Sequence, residues 1–274
     1  MPELPEVETL RRSLLPVLVG CRIDDVRVYE RRLRYPVVPR TLKRRVAGRR
    51  VEGVARRAKY LLIELDDGNR LLIHLGMSGR LSLASAGTPR ETHVHVVFAL
   101  DGDRELRFRD PRRFGLVDAV TASELDDVRR FTSLGPEPLS AAFRADRVHE
   151  RTRGLRKPIK NFLMDAREVV GVGNIYASEA LILAGVHPKR AVGRLSLERW
   201  TRVVDAVKQV LRQAIRQGGT TINDFQNGAG DPGYFQLSLR VYDREGKRCE
   251  RCDGTVRRLV LAGRSTFYCT GCQR

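Results

Sequence analysis

Ser133-Leu134-Gly135-Pro136-Glu137-Pro138-Leu139 is where the hydrophobic period of this 274-residue chain changes. Two prolines and a glycine within seven residues predict a connection between elements. Upstream, from about Arg22 to Val120, the chain reads as β-structure. Turn signals recur there: Leu65-Asp66-Asp67-Gly68-Asn69 between apolar runs, and Asp101-Gly102-Asp103 between Val94-His95-Val96-Val97-Phe98 and Leu106-Arg107-Phe108-Arg109. Short alternating strands at this spacing argue for a sandwich or barrel. Leu106 and Phe108 share one face and Arg107 and Arg109 the other, so one face is expected to meet a core and the other solvent or phosphate. Downstream the period is helical, most clearly at Leu197, Trp200, Val203, Val204, Val207, Val210, Leu211 and Ile215, between Ser196 and Gly218-Gly219. Trp200 is therefore expected in a core. The fold class that follows is a multidomain α+β chain.

At the outer ends lie the two stretches with the most chemistry. Met1-Pro2-Glu3-Leu4-Pro5-Glu6-Val7-Glu8 opens a helix, with Pro5 in its first turn, Val7, Leu10, Leu14 and Leu18 on one stripe, and Gly20 as a stop. If Met1 is removed, as the small Pro2 permits, the chain starts with a secondary amine beside a carboxylate. An α-amino group titrates near ~7.7–8.0, so part of it is unprotonated and nucleophilic at neutral pH. The positive end of the helix disfavours an ammonium and favours a carboxylate nearby. An acidic helix cap accounts for the same residues. At the other end, Cys249-x2-Cys252-x16-Cys269-x2-Cys272 can set four thiolates tetrahedrally around zinc. Four protein ligands leave no open position, which makes such a metal structural. Between the knuckles, Val256 to Tyr268 reads as a hairpin bent at Ala262-Gly263, with Arg264 at its tip.

Composition narrows the partner. Lys plus Arg is 51 against 33 Asp plus Glu, a formal charge of +18, which points to a polyanion. No apolar run approaches the ~18–20 residues of a membrane span. Four of five cysteines crowd the finger and Cys21 stands alone, which suits metal binding in a reducing compartment, so a cytoplasmic location is expected. Other motifs are individually ambiguous. Gly171-Val172-Gly173-Asn174 enters a helix and can cradle phosphate or simply turn between helices. Arg153, Arg156, Lys157, Lys160 and Arg167 form a basic cluster fit for a nucleic-acid backbone, or a solvated face. Asp110-Pro111-Arg112-Arg113-Phe114-Gly115 and His74-Leu75-Gly76-Met77-Ser78-Gly79 place Phe114 and Met77 in turns, as core residues or as wedges that fill the hole left by an extruded base. Lys59 is a surface lysine unless it faces Pro2.

Taken together, these motifs resemble those of the bacterial formamidopyrimidine-DNA glycosylases (8-oxoguanine-DNA glycosylases) over essentially the whole chain. The matching stretches are Met1 to Glu8, Arg57 to Leu62, His74 to Gly79, Asp110 to Gly115, Leu163-Met164-Asp165, Val170 to Glu179, Gly218 to Thr221, Pro232 to Phe235 and the finger ending at Gln273. The resemblance implies an N-terminal catalytic β-sandwich with flanking helices (1–131), a linker (132–152), a helix-two-turn-helix domain (153–236) and a β-hairpin zinc finger (237–274), with duplex DNA between domains. It implies one structural zinc on Cys249, Cys252, Cys269 and Cys272. It also implies catalytic roles for Pro2 as the Schiff-base nucleophile, Glu3 as acid/base, and Lys59 and Arg264 in β- and δ-elimination. Met77, Arg112 and Phe114 match gap-filling residues, and His93, Arg112, Arg153 and Asn174 match contacts to the DNA backbone or opposite base. The loop from Thr220 to Tyr234 matches the region that closes over a flipped base. The substrate implied is DNA carrying oxidised purines or abasic sites, handled by a monomer in the bacterial cytoplasm, associated with the nucleoid through DNA. Asp253 and Asp243 stand where the family commonly has glycine. The related endonuclease VIII enzymes share Pro2, Glu3 and the finger, but 4–8 and the Thr220 loop resemble the purine branch. A DNA-binding module that keeps the fold without the chemistry is the competing reading, and only the enzyme needs a free Pro2 amine. A basic membrane-surface protein ranks behind both, because neither a lipid-anchor motif nor a basic amphipathic helix is evident.

Overall fold

A computed structural model describes residues 2–127, 129–220 and 235–274. The chain forms two compact units, 1–132 with 217–236 and 133–216 with 237–274. It is a mixed α+β structure, as its sequence pattern requires.

In the first unit, helix α1 (Leu4–Leu18) is followed by β1 (Arg22–Val28), α2 (Pro39–Val46), β2 (Arg49–Arg57), β3 (Tyr60–Leu65), β4 (Arg70–His74), β5 (Arg80–Ser85), β6 (Val94–Leu100), β7 (Arg104–Arg109), β8 (Leu116–Val120), α3 (Ala122–Asp127) and α4 (Arg129–Thr132). The strands pair antiparallel in the order β5-β7-β6-β1-β2-β3-β4-β8. Its two four-stranded halves are joined where Arg22 faces Arg50 and Ile23 faces Arg49. One apolar core takes Val26, Phe98 and Phe108 from one half, Val54, Ile63 and Ile73 from the other, and Val7, Leu10, Leu14 and Leu18 from α1. The sandwich expected from alternation is thus a layered sheet sealed by the α1 stripe. Helix α2 lies inside the stretch read as β-structure. Its two buried positions, Leu42 and Val46, are four residues apart among arginines and lysine, a short helical stripe that the strand pattern on either side obscures.

Arg107 corrects the expectation of a solvent face. Leu106 and Phe108 are buried in the core as expected, but Arg107 is buried too. Its guanidinium donates to Glu105 at 2.7 Å and to the carbonyls of Thr88 and Pro89 at 2.6 and 3.1 Å. The chain between β5 and β6 covers this face and takes up the hydrogen bonds a phosphate would need.

The second unit holds α5 (Ala145–Thr152), α6 (Ile159–Leu163), α7 (Asn174–Ala184), α8 (Leu197–Arg216) and the hairpin β9 (Val256–Leu261) and β10 (Arg264–Cys269). Trp200 is fully buried, edge-on to Phe162 with ring centroids 5.4 Å apart. Within 132–152, Gly135 donates to the Ala166 carbonyl at 2.8 Å, and α5 buries Val148 and Thr152. Buried Glu179 on α7 accepts three successive backbone N–H groups, from Arg240, Val241 and Tyr242, at 2.9–3.0 Å. Burial pushes its carboxyl above the usual range, and those three donors oppose the shift. This anchors the approach to the finger on α7. Asp243 adopts φ +58°, a left-handed conformation that Asp tolerates. Among the described residues no helix is long and apolar enough to cross a membrane.

Candidate functional site

The N-terminal turn is built around two carboxylates. Glu3 is the N-cap of α1, in extended backbone, and forms a reciprocal capping box with Glu6. Glu6 Oε2 accepts the Glu3 N–H at 2.7 Å, while its Oε1 accepts the N–H and hydroxyl of Thr220 at 2.9 and 2.8 Å. Glu3 and Glu6 are both about 2% exposed, and Pro2 is partly exposed. The cap and the proposed acid/base group are therefore the same residue. Met1 and the 221–234 part of the loop expected to cover a base lie outside the described residues.

Glu8 fastens this turn to the β2–β3 hairpin. Burial acts to raise its carboxyl, but Arg11, Arg12 and Arg56 more than offset that and hold it at about 2. Arg56 bridges Glu8, at 3.3 Å, to the Ala58 carbonyl, at 2.8 Å. Ala58 has φ +55° beside half-buried Lys59 at the hairpin tip. Next to it is His74, to which sequence reasoning assigned no role. Its ring lies 4.7 Å from Tyr60, and its Nδ1 accepts the Gly76 N–H at 2.9 Å, which puts the neutral ring's proton on Nε2. Burial, then the charges of Lys59 and Arg34, depress its pKa to about 4.

A depressed histidine stabilises the fold above its unfolded pKa, and that contribution is lost as pH falls. Relative to His74→Phe, the native chain is expected to lose up to about 3 kcal/mol between pH ~6.5 and pH ~4, with no further loss below. Denaturant titrations of both proteins across that window check this. A constant difference would contradict it.

Met77, Phe114, Arg112 and His93 sit on loops of the same unit. Met77 and Phe114 are 41% and 45% exposed, so neither is a core residue. A Cβ on Gly76 would lie 2.4 Å from the Phe114 backbone, so the two loops abut where only glycine fits. The Arg112 guanidinium stacks 5.0 Å from the Phe114 ring centroid. Asp110, fully buried, organises the group. Its carboxylate accepts the Gly115 N–H and the Ser78 hydroxyl, each at 2.7 Å, its carbonyl lies 2.8 Å from His95 Nε2, and its own N–H donates to the His93 carbonyl. His93 is exposed at φ +69°. Asp110 and Ser78 lay inside the quoted motifs, but only the tertiary structure shows that they hold the motifs together.

In the second unit Asn174, the first residue of α7, and Arg264, the first of β10, belong to one assembly. Asn174 Nδ2 donates to the Ser265 carbonyl at 3.0 Å. Lys160 Nζ donates to Asn174 Oδ1 at 2.6 Å, Thr266 Oγ1 at 2.7 Å and the Ser265 carbonyl at 3.1 Å. Lys160 is 1% exposed, which removes it from the basic cluster expected to meet a nucleic-acid backbone. Lys157 pairs with Asp165 at 2.6 Å. Arg264 is exposed just past the bend at Ala262 and Gly263, both with positive φ. Arg153 is exposed at the end of α5, on a different element.

The four finger cysteines fit zinc. Their sulfurs all lie within 4.8 Å of one another, with Cys249–Cys272 at 3.8 Å and Cys252–Cys269 at 3.5 Å. Thiolates 2.3 Å from a shared tetrahedral zinc would be about 3.8 Å apart. A Cβ on Gly271 would approach Cys252 Sγ to 2.9 Å, closer than side chains come, and one on Gly254 to 3.3 Å, a tight contact. Asp253, the departure beside Gly254, points outward and pairs with Arg248. Bound zinc would be structural, closing the hairpin that carries Arg264.

Residues 1–117 match the model of the formamidopyrimidine-DNA glycosylase N-terminal domain, 134–226 that of the family's H2TH domain, and 246–274 a zinc finger found in FPG and IleRS. The chain is 48% identical to the formamidopyrimidine-DNA glycosylase of Methylococcus capsulatus over 274 residues, and 48% identical to that of Stutzerimonas stutzeri over 277, in each case covering all of both chains. Among solved structures it is similar to a point mutant of Lactococcus lactis FPG in complex with Fapy-dG-containing DNA (TM-score 0.93, 33% identity, all of both chains). It is also similar to L. lactis Fpg bound to DNA with an abasic site (TM-score 0.92, 34% identity, 99% of both). With domain models matched along the chain in this order, and full-length relatives at this identity, the protein belongs to the formamidopyrimidine-DNA glycosylase family.

Proposed function

We propose that this chain is a base-excision repair enzyme, a bifunctional DNA glycosylase and abasic-site lyase that removes oxidised purines, 8-oxoguanine and formamidopyrimidines, from duplex DNA. The observation that carries the chemistry is the Pro2–Glu3 turn, where partly exposed Pro2, whose nitrogen becomes a secondary amine once Met1 is removed, adjoins a buried, capped carboxylate at the positive end of α1. Pro2 nitrogen attacks C1′ and the damaged base departs with a proton, assisted by Glu3. The sugar ring opens as the Schiff base forms. β-Elimination assisted by Lys59 and δ-elimination assisted by Arg264 then break the strand on both sides of the lost nucleoside.

Met77 and Phe114 are assigned to the gap left in the stack, supported by their exposure on abutting loops. His93, Arg112, Arg153 and Asn174 are assigned to the DNA backbone or opposite base. We retain the division at 1–131, 132–152, 153–236 and 237–274 as a functional one, with action as a monomer in the cytoplasm, on the nucleoid. The +18 charge fits a polyanionic substrate.

Glu3→Gln tests the assignment of acid/base work. It is expected to lower base release from an 8-oxoguanine duplex about 10²–10⁴-fold, the usual contribution of a positioned acid or base. Incision of a duplex already carrying an abasic site should be far less affected, because no base has to leave. Equal losses on both substrates would refute Glu3's role in base departure.

A further inference from the structure

Glu6 joins parts of the first unit that are 214 residues apart in sequence. A Glu at the third position of a helix often caps the preceding turn with one oxygen. Here Oε2 does this by accepting the Glu3 N–H, while Oε1 is used in full by the N–H and hydroxyl of Thr220. The carboxylate is 2% exposed. Gly219 passes against it at φ +81°, a left-handed conformation, where a Cβ would lie 3.0 Å from Oε1, so the approach leaves little room for a side chain. Phe235, beyond 221–234, returns its N–H to the Gly219 carbonyl at 2.9 Å. The chain on both sides of that stretch is thus pinned beside the turn that carries Pro2 and Glu3.

We propose that Glu6 is a positioning residue for base release, tying Pro2 and Glu3 to Gly219 and Thr220 so that they are placed as one unit. The inference rests on the glycosylase reading above. Its physical reason is alignment. Displacement at C1′ needs the amine within a narrow approach, and small misplacements are costly, whereas addition to the open aldehyde of an abasic site tolerates a looser geometry.

Glu6→Gln keeps the shape but supplies one acceptor oxygen for three donors, so at least one of the Glu3 and Thr220 contacts is lost. Single-turnover base release from an 8-oxoguanine duplex is expected to fall on the order of 10-fold or more, the scale of a modest misalignment. Duplex affinity and borohydride-trapped adduct on an abasic duplex should change far less. Thr220→Val, which removes only the hydroxyl, should give a smaller loss in the same direction. The double variant should lose less than the product of the two single losses, because both disturb the shared Glu6–Thr220 contact. Parallel losses on both substrates that track a lower melting temperature would overturn the proposal, as would multiplicative effects in the double variant or unchanged base release. A wild-type chain that traps on the abasic duplex yet responds in one of these ways fails this inference alone. One that neither releases base nor traps fails the glycosylase reading with it.

Discussion

Cys269→Ala is expected to empty the finger of zinc and to remove tight duplex binding. Cys269 ends β10 and is buried in a small cluster with Val256, Phe267, Val241 and Ile182. That cluster is too small to hold a hairpin by itself, whereas four thiolates on zinc contribute an apparent ~10–16 kcal/mol. Burial pushes Cys272 up to about 12 and also raises Cys269, while Cys249, raised by burial but lowered further by the Arg251 and Cys252 amides, sits at about 7. Three remaining thiolate ligands do not close a four-coordinate structural site. The loss spreads, because Ser265 and Thr266 on β10 hold Lys160 and Asn174. Metal analysis should fall from one zinc per chain to none. Duplex affinity at fixed salt should fall on the order of 100-fold, as for the loss of a few phosphate contacts. A zinc-free variant that binds duplex like the native chain would contradict this account of the finger.

Asp110→Ala should be the most damaging single change away from the metal. It strands the Gly115 amide in a buried position and frees Ser78, which itself accepts the Arg112 N–H at 3.2 Å. Leaving two such groups without their acceptor costs about 2–6 kcal/mol, at ~1–3 for each. Asp110→Asn retains one acceptor oxygen and should cost roughly half as much. Both loops that carry Met77, Arg112 and Phe114 lose their common support, so base release should fall further than the stability loss alone explains. Denaturant midpoints together with single-turnover rates under fully folded conditions separate the two effects. Unchanged rates in folded Asp110→Asn would mean that the loops hold their positions without the carboxylate.

Much of this architecture was legible in the chain. The change from a period of two to a period of 3.6 across 133–139 marks the sheet and the helices, and α8 around Trp200 ends at Arg216, just ahead of the Gly218-Gly219 stop. The cysteine spacing specifies the finger because ligand geometry admits few alternatives. What stayed hidden depends on distant parts of the chain. Arg107 and Lys160 look like surface cations, and only the carbonyls of 85–89 and the hairpin at 265–266 explain their burial. Glu6 looks like a helix cap until Thr220 meets it. Asp110 and His74 sit in recognisable motifs, yet their work is to hold other loops and to carry a neutral imidazole beside Lys59, which no local pattern encodes.

The central claim is that the Pro2 amine is the nucleophile, and borohydride trapping on a duplex carrying one 8-oxoguanine tests it most directly. Native-N-terminus protein should give a covalent protein–DNA adduct, and a form that retains Met1 should bind the duplex but give none. An adduct of equal yield with Met1 retained, or tight binding with no adduct from the native form on either an 8-oxoguanine or an abasic duplex, would contradict the account.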